Sequence, residues 1–74
     1  MKFNITQFQG KWTVWWTHHY TQPFLVEDVQ LCDYCLQHYP NQFSVIEKEE
    51  FEMFLHEVRF KNRKELDWFL LQWS

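Results

Sequence analysis

Few residues in this sequence are spaced for chemistry. Cys32-x-x-Cys35-x-x-His38 is its one metal-like spacing. Joined by His18 or His19, that set would supply the two sulfurs and two nitrogens of a tetrahedral zinc site. Yet the segment reads as helix interior, whereas zinc-binding Cys pairs usually sit in turns. Cys32 also falls on an apolar stripe of that helix, so packed thiols are the preferred reading, and no metal or other cofactor is expected. A thioredoxin-type pair needs a helix N-terminus to lower a thiol pKa, and these cysteines lie mid-helix. The four histidines form neither a triad nor an HExxH arrangement. A single glycine leaves no Gly-rich phosphate loop. The chain therefore reads as a binding protein and not as an enzyme.

The charged residues are more patterned. Glu47, Glu49, Glu50 and Glu52 form an acidic run broken by Lys48, and Arg59, Lys61, Arg63 and Lys64 follow as a basic run. The net charge is −3. Affinity for phosphate comes largely from Lys and Arg, so this balance counts against a general nucleic-acid binder. No signal-peptide core and no apolar stretch long enough to span a bilayer is present. The expectation is a cytoplasmic chain with reduced thiols.

Rings must hold these groups in place. The chain has 74 residues with five Trp, three Tyr and eight Phe, but one Gly and two Pro. One small domain is expected, stabilised by rings that each remove roughly 150–250 Å² from water. Gln9-Gly10 predicts a two-residue hairpin turn that pairs Phe8 with Lys11, Gln7 with Trp12, Ile5 with Val14 and Phe3 with Trp16. Alternation then puts Phe3, Ile5, Trp12, Val14 and Trp16 on one face. Asn4, Thr6, Phe8, Thr13, Trp15 and Thr17 take the other.

Thr21-Gln22-Pro23 breaks the strand and opens a helix over about 24–38. Leu25, Val29, Cys32, Leu36 and Tyr39 are its expected core stripe. Residues 43–60 read either as a hairpin of 43–47 and 51–60, or as a helix capped by Ser44 and Glu47. The turn lacks Gly, Asn and Pro, which weighs against the hairpin. Phe51, Phe54, Val58 and Phe60 favour a pleated surface and decide for it. Asn62, with Glu65 three residues on, predicts the N-terminus of a last helix. Its core face is Leu66, Phe69, Leu70 and Trp73, with Trp68 and Leu71 outside it. The expected fold is α+β: a ββαββα order, an antiparallel sheet and two helices on one face.

That arrangement would leave Trp15 and Phe8 on an uncovered face, among threonines. Trp is over-represented among binding hot spots. Phe8, Trp15, Glu47, Glu49, Glu50 and Glu52 are the expected contacts to a partner, a larger basic protein or nucleoprotein complex. A second copy of the chain is a further possible partner. The alternative is a single-stranded nucleic-acid module that stacks bases on exposed rings and uses Arg59, Lys61, Arg63 and Lys64. A second alternative is a zinc-binding accessory domain built on Cys32, Cys35, His38 and His18. In size, acidity, the 47–52 run and its expected topology, the chain resembles small phage counter-defence proteins of the anti-CRISPR type. That resemblance implies an inhibitor that blocks a nucleic-acid-binding surface of a host nuclease complex.

Overall fold

The computed structural model describes residues 2–73. Its elements are β1 (Asn4–Phe8), β2 (Lys11–His19), α1 (Val26–His38), β3 (Phe43–Lys48), β4 (Met53–Phe60) and α2 (Arg63–Trp73). A 3-10 turn, Glu49–Phe51, links β3 to β4. The order is the expected ββαββα. The four strands form one antiparallel sheet in the order β1-β2-β4-β3.

The first hairpin follows from its turn. Gln9 and Gly10 both take positive φ, 51° and 76°, the signature of a type I′ turn, whose twist matches that of the flanking strands. Phe8 pairs with Lys11, Gln7 with Trp12 and Ile5 with Val14, as expected. Residues 43–60 are also a hairpin. The turn solves its lack of glycine by forcing Glu52 into the left-handed region at φ 51°. The Glu52 N–H donates to the Glu49 carbonyl at 3.1 Å, and the Glu52 carbonyl accepts the Tyr20 N–H at 2.9 Å.

Val14 pairs with Val58 and Trp16 with His56, so those side chains share a face. Val14, Trp16, Val58 and Phe60 form one buried cluster with Leu31 and Cys35 of α1 and Leu66 and Phe69 of α2. Both helices therefore cover the same side of the sheet. At α2, the Asn62 side-chain oxygen accepts the Glu65 N–H at 2.9 Å, the expected cap. Trp68 and Leu71 point to solvent.

The stripe expected for α1 needs correction. Leu25, Val29 and Leu36 are exposed, and the buried positions are Leu31 and Cys35. The buried stripe is thus shifted by about one residue, while Cys32 and Tyr39 of the expected stripe do turn inward: Cys32 is half-buried, and Tyr39 packs edge-on to Phe60 at 5.3 Å and to Phe69 at 6.2 Å. Tyr34 meets Trp73 at 5.2 Å on the same side. These ring contacts outweigh the aliphatic pattern. Among the described residues, no helix is long and apolar enough to cross a membrane.

The two strained turns give opposite expectations. Glu52→Gly relieves a left-handed L-residue and should raise stability by about 0.5–1 kcal/mol, net of the extra freedom glycine has when unfolded. At Gly10 an added Cβ would meet nothing within 4 Å. Gly10→Ala should therefore lose stability through backbone strain alone, by about 0.5–1 kcal/mol. Urea midpoints of the two variants against the parent check both signs.

Candidate binding face

The sheet side away from the helices is set by register. Asn4, Trp15, Glu57 and Ser44 form one row across the strands, since Asn4 pairs with Trp15, Trp15 with Glu57 and Ser44 with Glu57. Thr17, Leu55 and Ile46 form the next row, followed by His19, Met53 and Lys48. Adjacent strands lie about 4.8 Å apart and same-face rows about 7 Å apart. Trp15, Leu55, Ile46 and Met53 thus make a continuous apolar band over β2, β4 and β3. Trp15, Leu55 and Met53 are half-buried and Ile46 is exposed. Polar partners border the band: the Ser44 hydroxyl donates to Glu57 at 3.2 Å, and Arg59 lies 3.8 Å from the same carboxylate.

The acidic turn adjoins the Met53 end of this band. Glu49 and Glu50 are exposed there beside Phe51, itself 62% exposed. Glu47 pairs with Phe54 and so points to the opposite, helix-bearing side. Its carboxylate accepts the Tyr20 hydroxyl at 2.6 Å. That hydrogen bond, helped by desolvation and by the negative charges of Glu47, Glu49 and Glu52, pushes the Tyr20 phenol up to about 12.

The expected partner-binding set is therefore brought together only in part. Trp15 belongs to the band, Glu49 and Glu50 are exposed in the turn at its Met53 end, Glu52 closes that turn, and Glu47 is engaged by Tyr20. Phe8 pairs with Lys11, eight residues along β2 from His19, or roughly 27 Å from the acidic end. Leu55 and Ile46 were not singled out from sequence, and Met53 only as an alternative to Phe54 for the uncovered face. Their alternation in β3 and β4 was readable, but their nearness to Trp15 depends on the pairing of β2 with β4, which no local turn specifies.

The basic run is dispersed. Arg59 lies on the open side in register with Thr13. The Arg63 guanidinium stands over the Trp12 ring at 4.8 Å and pairs with Asp67 at 2.9 Å. Lys61 follows β4 and Lys64 is exposed in the first turn of α2. No continuous basic stripe forms from these four.

The Cys and His residues also separate. Cys35 is fully buried, and burial pushes its thiol up to about 12. Cys32 is half-buried and its pKa is also raised by burial. His38 is exposed and rests against Tyr34 at 4.3 Å. His18 is buried, with Nε2 2.7 Å from the Gln22 carbonyl oxygen and its ring 3.9 Å from Phe24. Among the described residues, no group of three or more His, Cys, Asp or Glu is arranged to hold a metal ion. A half-open cavity of about 500 Å³ does lie between β2, β4 and the start of α1, lined by His18, His56, Asp28, Cys32, Trp16 and Phe24 among others. His56 is only 4% exposed, lies parallel to Trp16 at 5.4 Å, and has no hydrogen-bond partner at Nδ1.

No protein-family model, curated protein or solved structure matches this chain.

The buried imidazole makes stability depend on pH. Burial lowers the His56 pKa below its usual 6.5, the neighbouring His18 lowers it further, and Asp28 opposes them. The unfolded chain then binds a proton that the folded chain resists. Stability is complete above about pH 6.5, falls as pH drops towards the lower folded-state value, and levels off beneath it. Urea midpoints at about pH 8 and about pH 5 should show this fall, and His56→Phe should reduce it. An equal fall in both proteins would assign the effect elsewhere.

Proposed function

We propose that this protein is a non-catalytic protein-binding module that docks through its open sheet face. The observation that supports this is the apolar band Trp15, Leu55, Ile46 and Met53, left uncovered by both helices and bordered by Glu49 and Glu50. An apolar centre with a polar rim is the anatomy of a protein interface. A half-buried Trp held by neighbouring strands is a suitable anchor. The acidic turn calls for a partner with Lys or Arg beside an apolar patch, and it would speed association and set orientation. The groove of a nucleic-acid-binding enzyme has that chemistry. The finer reading is accordingly an inhibitor of a host nuclease complex, in the manner of phage counter-defence proteins.

The test is affinity capture from host lysate with the parent chain, Trp15→Ala, Leu55→Glu, and the pair Glu49→Lys and Glu50→Lys. Trp15→Ala should weaken capture by at least about tenfold, as expected for a hot-spot residue. The charge reversal should slow association and reduce its salt dependence. Circular dichroism on each variant separates loss of binding from loss of fold. Capture that survives all three changes would remove this face from the mechanism.

A second reading rests on the other end of the same face. Phe8 is 74% exposed beside Lys11, and Arg59 stands one row away across Thr13. Rings interleaved with cations suit single-stranded nucleic acid. Fluorescence anisotropy with a labelled oligothymidylate at low salt should then show binding that Phe8→Ala weakens. A flat titration would end this reading.

A further inference from the structure

β1 is an edge strand with nothing to blunt it. Its five residues, Asn4-Ile5-Thr6-Gln7-Phe8, are all exposed and include no charge, proline or glycine. Natural sheets guard their edges with such residues, because free strand N–H and C=O groups recruit another strand. The opposite edge, β3, carries Glu47 and Lys48. The contrast singles out β1.

The hairpin turn also fixes which β1 groups face outward. In a two-residue hairpin the residues flanking the turn exchange both hydrogen bonds, and the pattern alternates from there. Phe8, Thr6 and Asn4 therefore bond to β2, through Lys11, Thr13 and Trp15 respectively. Ile5 and Gln7 turn their N–H and C=O groups away from the sheet. We infer that this chain dimerises by antiparallel pairing of β1 with β1 of a second copy, about a two-fold axis at Thr6.

That register is self-complementary. It sets Ile5 against Gln7 of the second copy and Gln7 against Ile5 of the second copy, both as hydrogen-bonded pairs, with the two Thr6 side chains meeting between them. Four outward donors and their acceptors are satisfied at once. No like charges meet within the paired segments. Phe8 of the second copy comes to lie beside Asn4, one strand from Trp15, which covers a ring that is otherwise 74% exposed. The two four-stranded sheets become one eight-stranded sheet.

Sedimentation velocity on the full chain over a concentration series tests this. The expected result is a species of twice the single-chain mass that dissociates on dilution. Gln7→Pro removes an outward donor that β2 does not use, and should give a folded monomer. Ile5→Lys with Gln7→Lys places like charges across the axis and should do the same. Hydrogen exchange on the unaltered chain supplies a test that does not depend on any variant folding: the Ile5 and Gln7 amides should be protected at high concentration and exchange freely on dilution. A single-chain mass throughout, a dimer that survives the folded variants, or Ile5 and Gln7 amides unprotected in the dimer would each overturn the inference.

Discussion

Phe69 lies where four other rings converge. Phe3 stands 5.5 Å away, Phe60 5.6 Å, Tyr39 6.2 Å and Trp16 6.5 Å. Those four come from the approach to β1, from β4, from the end of α1 and from β2. One fully buried side chain in α2 thus ties together nearly every part of the chain. Each edge-to-face or offset ring pair contributes about 0.5–1.5 kcal/mol beyond its area burial. A domain of this size buries a smaller share of its surface than a large one. Concentrating its largest side chains at a single junction is how it offsets that handicap. Leu31, Leu66, Val14 and Val58 then fill the space between rings, all essentially without exposure.

The same concentration determines what the other side of the sheet looks like. An antiparallel sheet with one covered face usually shows a clean alternation, apolar inward and polar outward. β2 obeys this at Thr13 and Thr17 and departs from it at Trp15. β4 obeys it at Glu57 and Arg59 and departs at Met53 and Leu55. β3 departs at Ile46. The departures lie on three strands, and Trp15 is some thirty residues or more from the other three in sequence, yet register gathers them into one patch. Scattered surface hydrophobes are ordinary in any protein, whereas a contiguous group is informative. The distinction rests on pairing and is invisible in composition.

That explains what could be read from the chain and what could not. The first hairpin was legible because Gln9-Gly10 and strict alternation are local signals that fix the pairs from Phe8–Lys11 to Asn4–Trp15, where the ladder ends one pair short of the expected Phe3–Trp16. α2 was legible because Asn62 caps it and Leu66 and Phe69 recur at helical spacing. The hairpin of β3 and β4 followed from its ring-bearing and β-branched residues, although its turn uses Glu52 where a glycine would be easier. The orientation of α1 was not legible. Leu25, Val29 and Leu36 give as good a stripe as Leu31 and Cys35, and Tyr39 at the end of the helix is compatible with either, so the apolar spacing alone does not choose between them. The position of Trp15 opposite Glu57 was equally hidden, because a pairing between strands so far apart in sequence leaves no local trace.

Tyr20 gives the acidic end of the sheet its shape. Its N–H binds the Glu52 carbonyl, its hydroxyl binds Glu47, and its ring packs on Phe54 at 5.0 Å. Three contacts from one residue fix the turn against the end of β2. With its pKa near 12, the phenol remains a donor through the physiological range, so this brace does not weaken with ordinary changes in pH. Glu47 is engaged in holding the turn, while Glu49 and Glu50 are left to project. The run is therefore not a uniform cloud of charge. One carboxylate anchors the turn, and Glu49 and Glu50 remain exposed on its braced backbone, with Glu49 near enough to Tyr20 to raise its pKa. A surface ordered before binding loses less freedom when a partner arrives. The Tyr20 brace thus orders the backbone of the turn at the end of the sheet, and with it the place from which Glu49 and Glu50 extend.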